Sequence, residues 1–420
     1  MAFRSGSART ERRNLEPSAH RRPRTPSSKG GAFRGVPATP AEAAALPLPR
    51  GRRGSRGDGG GEEHGQAGEG MWGRGVAGGG RRGARGLARA GGAAEVGAWV
   101  AERSRGGPRA AEVAEVVGAL AQAAKELAAE IAADRLPRGG PGGAEGGGVN
   151  ATGDVQTALD VRSNEVVRDA LERCAGVQAL ASEEEQKARA CSGSGLAVVF
   201  DPLDGSRNVG VAIPTGTIFG AYAAVPGADP GAAVLRPGRE LLLAGYALYS
   251  CSCLLVLALP GSGVHGFTLD AASGEFLHTH EITIPDRGQI YSLNDAREPD
   301  WPEGLRRYIH DVRAGRGQSG KQYSARYVCS LVADFHRTLL QGGWAGNPRA
   351  HLRLVYEANP VAFLAEEAGG SGSTGVGRIL DLEPRELHQR TPLFAGSADD
   401  IAELESYRDV QQLNNPGYKI

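Results

Sequence analysis

Apolar positions along the chain follow two rhythms. Between Pro108 and Pro137, Val113, Val116, Val117, Leu120, Ala124, Leu127 and Ile131 recur every three or four residues, which is the spacing of one helix face. A second helix is predicted with Ser163 as its cap, Val166, Val167, Ala170, Leu171 and Cys174 inward, and Gly176 closing it. From Leu196 onward, short runs with β-branched members predict strands at 196–200, 215–222, 241–248, 254–259, 264–269 and 289–293. Helical spacing returns over 302–312, 327–341 and 359–368. The strands come in neighbouring groups and do not alternate strictly with helices. The pattern therefore favours an α/β fold of mixed sheets covered by helices in layers over a barrel or a dinucleotide-binding unit.

Composition divides the chain. Its 420 residues have a formal net charge of zero, but residues 1–90 hold 18 Lys and Arg against 7 Asp and Glu, and the remainder holds 30 against 41. The leading segment is rich in Gly, Arg, Ala, Ser and Pro and has few large apolar residues. It cannot bury enough surface to offset ordering entropy, so residues 1–90 read as a disordered basic tail or a targeting segment. Without aromatic interleaving or amphipathic spacing, neither nucleic acid nor membrane is the expected partner. No apolar run is long enough to span a bilayer, because Ala244–Pro260 is broken by Ser250 and Ser252, and a soluble protein is expected. Arg and Ser richness favours an organelle transit peptide; Glu11, Glu16 and many glycines weigh against it. Five cysteines with no Cys-x-x-Cys pair suit a reducing compartment, and Cys251 and Cys253 read as small core residues. The Gly-rich stretch 138–149 predicts a mobile loop ahead of Asp154.

Candidate chemistry centres on Phe200-Asp201-Pro202-Leu203-Asp204-Gly205-Ser206. Pro202 lacks the amide hydrogen that a continuing ladder needs, so the strand is expected to stop and turn there. Asp201, the Leu203 carbonyl and Asp204 offer hard oxygen atoms of the kind Mg²⁺ or Mn²⁺ prefers. The Gly205 and Ser206 amides can hold a phosphate oxygen. Taken alone, the run fits an ordinary Asx turn equally well. Further acids stand at predicted element ends: Asp154 with Asp160, Glu183 with Glu184, and Glu357 at the close of an apolar run. Glu183-Glu184 by itself also fits a solvated loop. A buried Glu357 would need a cation or hydrogen-bond donors, and several clustered acids would repel one another without bound metal. Metal-assisted phosphoryl transfer uses such a cluster.

At this point the sequence resembles a family. Asp201–Ser206 together with Gly216-Thr217-Ile218-Phe219-Gly220, Gly245–Ser250, Gly263–Leu269, Ile290–Asn294, Ser324–Tyr327, Asp334–Leu339 and His388-Gln389-Arg390 is similar to class 1 fructose-1,6-bisphosphatase, over residues 110–405. The resemblance implies the sugar-phosphatase fold, an α-β-α-β-α sandwich, with residues 91–285 carrying a metal site and residues 286–420 a sugar-phosphate site. It implies Mg²⁺-dependent hydrolysis of fructose 1,6-bisphosphate, with Mn²⁺ as an alternative ion. By position, Glu183, Glu184, Asp201, Leu203, Asp204 and Glu357 look like metal ligands. Asp160 with Glu184 looks like the pair that deprotonates the attacking water, and Asp154 like a residue brought in by loop closure. Gly205 and Ser206 would hold the phosphate being cleaved. Asn294, Arg326 and Tyr327 match the clamp on the second phosphate, with the arginine reaching in from a neighbouring subunit of a homotetramer.

The chain departs from the family's pattern at several positions. His351 stands where a lysine is usual, Arg297 and Asn347 where tyrosines are, and Arg207 where a second serine is. His351 remains a substrate-binding candidate, and Arg297 would restore positive charge. Gly195-Leu196 replaces the Lys-Tyr pair of AMP-inhibited members, and residues 223–243 contain no cysteine, which argues against both AMP and thioredoxin control. The missing redox insertion favours the cytosol, with a plastid as the alternative. Sedoheptulose 1,7-bisphosphate as a further substrate and a non-catalytic sugar-phosphate-binding homologue are the rival readings. Inositol monophosphatase is less similar, since it normally ends its site in Trp-Asp where this chain has Tyr356-Glu357.

Overall fold

The computed structural model describes residues 94–107, 109–133 and 158–413. The expected basic tail 1–90, the Gly-rich loop 138–149 and Asp154 lie outside these residues. An eight-stranded sheet is built from β1 (Val177–Ser182), β2 (Arg189–Ala190), β3 (Leu196–Asp204), β4 (Thr215–Ala223), β5 (Leu241–Tyr249), β6 (Cys253–Ala258), β7 (Val264–Leu269) and β8 (Phe276–Ile282), in the order β2-β1-β3-β4-β5-β6-β7-β8. Only the β1–β3 pair is parallel; the remainder is an antiparallel meander. The second sheet joins β9 (Ile290–Ser292), β10 (Ser324–Ala325), β11 (Trp344–Arg353), β12 (Ser371–Ser373) and β13 (Arg390–Gly396) in the order β10-β9-β11-β13-β12.

Helices make the other three layers. Helices α1 (Val96–Arg103), α2 (Ala110–Ala132) and α3 (Ala158–Glu172) bury Trp99, Val116, Leu120, Leu127 and Val167 against one face of the first sheet. The short α4 (Pro230–Val234) is capped by Asp229. Helix α5 (Glu303–Arg313) and α8 (Ala398–Ser406) pack on the outer face of the second sheet with Trp344 and Phe394. Between the sheets, α6 (Leu331–Gln341) and α7 (Asn359–Glu367) share one core with Val199, Tyr246, Leu354 and Leu393. The result is the expected α-β-α-β-α sandwich. Among the described residues no helix is long and apolar enough to cross a membrane.

Four local expectations fail for identifiable reasons. The strand expected to stop at Asp201-Pro202 runs on to Asp204, with a slip in register between Asp201↔Ile218 and Asp204↔Gly216. Side chains bridge the gap that Pro202 leaves: Thr217 Oγ1 donates to the Pro202 carbonyl (2.8 Å) and Asp201 Oδ1 accepts from the Leu203 amide (3.0 Å). Ser163 lies inside α3, not at its cap, and its hydroxyl bonds back to the Leu159 carbonyl at 2.8 Å. The helix expected from residue 327 begins at Leu331, because Ser330 is the cap and its side chain accepts from the Ala333 amide. Cys251 is exposed because it lies in the turn between β5 and β6, whereas Cys253, half-buried at the start of β6, packs against the core as expected; of the five cysteines, Cys174 is the buried one.

Candidate active site

Where β3 ends, the chain turns through Gly205, whose φ of +75° is left-handed and whose added Cβ would meet Ser330 Cβ and Asn208 Nδ2 at 3.3 Å. The following short 3-10 segment, Ser206–Val211, is tied down by Asn208, whose Nδ2 donates to the Val328 and Cys329 carbonyls at 3.3 and 3.2 Å. The Gly205-Ser206 turn is thus held against the N-terminus of α6. Asp204 completes that junction: its Oδ2 accepts from Ser330 Oγ and from the Val332 amide, both at 2.9 Å. A carboxylate suits the positive end of a helix dipole.

The other acids reach the same cavity from three more elements. Glu183 and Glu184 follow β1, Asp160 lies in the first turn of α3, and Glu357 sits in the wide π-helical turn Leu354–Ala358 between β11 and α7. Asp201 and Glu357 are each only 3% exposed. Burial, then repulsion from Glu183, Glu357 and Asp204, pushes the Asp201 carboxyl well above the ordinary aspartate range. Burial also raises Asp204, against the pull of its amide and hydroxyl donors. Glu357 is pushed up to about 8, by burial first, with Arg353 pulling down and Glu183 pushing up.

Arg353, 6% exposed, stands among these acids. Its Nη2 lies 2.9 Å from Glu183 Oε1, its Nη1 is 4.0 Å from Glu357, and its backbone amide donates to Glu357 Oε2. Among the described residues no group of three or more Asp, Glu, His or Cys side chains is arranged so that it could hold a metal ion. The donor set nevertheless fits a hard divalent cation. All of its members are oxygen, and the burial and mutual repulsion that raise the Asp201 and Glu357 carboxyls are what such a charge would relieve.

The cavity, about 340 Å³, continues from the acids to the second sheet. Parallel pairing of β9 with β11, Tyr291↔Trp344 and Ser292↔Ala345, brings Asn294 and Asn347 to the same end of adjacent strands. Asn294, Tyr327 and His351 line this end together with Arg297, which is ion-paired to Asp300. Gly205, Ser206, Arg207 and the Leu203 position line the acidic end. Of the described candidates only Arg326 is not a cavity residue: it is exposed, and its Nη1 donates to the Ala325 carbonyl at 2.9 Å.

Sequence reading missed Ser330, Asn208, Arg353 and His388. A serine before the apolar Leu331-Val332 is a readable cap signal, and an arginine inside Leu352–Tyr356 is a readable buried charge. His388 stands in the family-like run His388-Gln389-Arg390, but its part in positioning the acids has no local signal. Its Nδ1 lies 2.7 Å from the Tyr356 hydroxyl and its Nε2 3.1 Å from the Glu185 carbonyl, so it links the two segments that carry Glu357 and Glu183-Glu184.

Comparison with known proteins agrees with this geometry. The family models described as fructose-1,6-bisphosphatase N-terminal and C-terminal domains match residues 96–281 and 284–409. A chloroplastic fructose-1,6-bisphosphatase of Brassica napus is 43% identical over 336 residues, covering 74% of this chain and 80% of its own. The class 1 fructose-1,6-bisphosphatase of Sorangium cellulosum is 45% identical over 295 residues, 67% of this chain and 85% of its own. The crystal structure of Leishmania major fructose-1,6-bisphosphatase in holo form superposes with a TM-score of 0.68 at 33% identity, covering 76% of this chain and all of that one. With both halves of the described fold matched and its acids gathered in one cavity, the chain belongs to the fructose-1,6-bisphosphatase family.

Proposed function

We propose that this protein is a phosphoric monoester hydrolase that cleaves fructose 1,6-bisphosphate to fructose 6-phosphate and inorganic phosphate. The observation that carries the reading is the continuity of one cavity from buried carboxylates and the Gly205-Ser206 turn to the polar end at Asn294 and Tyr327. Such a cavity suits a substrate with two anionic ends.

Each group's role follows from its chemistry. The Gly205 and Ser206 amides orient the phosphate to be cleaved, with the turn fixed by Asn208 and the α6 cap. Asp160 and Glu184 are the carboxylates that would take the proton of the attacking water. A divalent cation, Mg²⁺ or in its place Mn²⁺, would be held by Glu183, Glu184, Asp201, the Leu203 carbonyl, Asp204 and Glu357, where it would supply charge neutralisation and acidify water. Asn294, Tyr327 and His351 hold the sugar and its second phosphate. Asp154, the remaining catalytic candidate, lies outside the described residues. Exposed Arg326 points to a homotetramer in which it serves a neighbouring subunit's site. Sedoheptulose 1,7-bisphosphate is the second substrate to assay. The location reading is cytoplasmic with a plastid alternative, the latter favoured by the chloroplastic names of the plant relatives; a fluorescent fusion of residues 1–90 separates the two.

Phosphate release from fructose 1,6-bisphosphate with Mg²⁺ tests the assignment, and Asp204→Asn is expected to abolish it. No release by the native sequence at saturating substrate and metal would overturn it.

A further inference from the structure

The far end of the cavity has a wall that the reading above leaves unused. After α8 the chain passes through two consecutive left-handed residues, Arg408 at φ 54° and Asp409 at φ 45°, and doubles back. Val410 anchors the returning segment with a fully buried side chain in the core of the second sheet. Gln411 Nε2 donates to the Thr374 carbonyl at 2.9 Å, and the Gln412 amide donates to the Pro348 carbonyl at 2.8 Å. Gln412 thereby forms a parallel bridge with Arg349, and both residues line the cavity. The Arg349 amide in turn donates to Asn347 Oδ1 at 3.1 Å, which fixes the bend that leads from Asn347 to His351. Two non-glycine residues held in the left-handed region and three separate anchors fix where this segment meets Arg349.

Arg349 lines the same cavity as Asn294, Asn347, Tyr327 and His351. Arg349 follows Asn347 by two residues, on the strand whose parallel pairing with β9 brings Asn347 and Asn294 to the same end. We propose that Arg349, buttressed by Gln412 of the C-terminal segment, is a specificity-determining residue that binds the second phosphate of the substrate. The planar guanidinium suits a phosphate dianion, and the Gln412 amide group suits a phosphate oxygen or a sugar hydroxyl. This inference rests on the sugar-bisphosphate reading above. Gln412 lies beyond residue 409, where the C-terminal family model ends, so this wall is assigned from the chain's own packing.

The test compares two substrates on the full-length protein: fructose 1,6-bisphosphate, and fructose 1-phosphate, which lacks the second phosphate. The readout is the ratio of their kcat/KM values in the native sequence and in Arg349→Ala, Arg349→Lys and Gln412→Ala. Arg349→Ala is expected to lower the ratio about tenfold or more, through KM of the bisphosphate, because a charge-assisted contact present with one substrate alone is lost. Arg349→Lys should recover part of the loss, and Gln412→Ala should lower the ratio severalfold. A purely structural role would reduce both substrates alike. An unchanged ratio in Arg349→Ala, with or without a fall in overall rate, overturns the inference. Failure of the native sequence to hydrolyse the bisphosphate would instead remove the functional reading beneath it.

Discussion

Arg353 Nη2 lies 2.9 Å from Glu183 Oε1 in a pocket where both side chains are nearly sealed from water, 7% and 13% exposed. The arginine is a built-in counter-charge for a group of acids that also includes Glu357 and Asp201. Its removal leaves buried carboxylates with less compensation, a change that typically costs about 3–5 kcal/mol. Arg353→Met should therefore lower the unfolding free energy in chelator by roughly that amount, as measured by denaturant titration, with part of the loss recovered in excess Mg²⁺. A variant as stable as the native protein in chelator would mean that the pair carries no net weight.

The same acids set a pH dependence. The Glu357 carboxyl ordinarily titrates at 4.5 and is pushed up to about 8 in the fold, and Asp201 moves in the same direction. The folded state then binds more protons than the unfolded chain across that window. Stability is fully present below about 4.5 and declines as pH rises through about 8. Relative to a Glu357→Gln variant, metal-free native protein should lose Tm between pH 5 and pH 8, and saturating Mg²⁺ should flatten that difference. A difference that does not change with pH in chelator would reverse the assignment.

Much of the fold was legible because burial follows local periodicity. The α2 stripe from Val113 to Leu127 is buried as its spacing predicts, and strands 215–222 and 264–269 appear almost to the residue. What escaped was decided by partners distant in sequence. Phe276–Ile282 is a strand with its middle exposed, so it lacks a continuous apolar signal, and Ser371–Ser373 owes its assignment to pairing with β13. Ser163 looked like a cap because serine favours caps, yet α3 extends past it toward Ala158. At the site, acid types and spacings marked the carboxylates. Arg349 and Gln412 are brought together only by tertiary packing, and no local pattern announces that.

His388 offers a test of how the acidic segments are positioned. Its ring spans from the Tyr356 hydroxyl, one residue before Glu357, to the Glu185 carbonyl, one residue after Glu184. Burial lowers its pKa, so the neutral ring makes both contacts at neutral pH. Losing a group that orients ligands usually costs about 10–100-fold in metal affinity or activity. His388→Ala should raise the Mg²⁺ concentration for half-maximal activity by about that factor, while His388→Gln, which can still donate and accept, should recover part of it. An unchanged Mg²⁺ requirement in the alanine variant would reduce His388 to packing.

Gly205 ties backbone conformation to phosphate binding. At φ +75° a side chain costs about 1–2 kcal/mol, and here its Cβ would also press on Ser330 Cβ and Asn208 Nδ2 at 3.3 Å. The neighbours that must yield are those that hold the turn against α6, so the strain falls on the cradle itself. Gly205→Ala is expected to cut kcat for phosphate release at least about tenfold, since small misplacements of a positioned group are expensive. It should lower stability only by the amount of the backbone strain. Gly210, in the same 3-10 segment, faces open space, and Gly210→Ala should leave the rate near native. Equal rates for the two variants would show that the Gly205 turn does not hold the reacting phosphate.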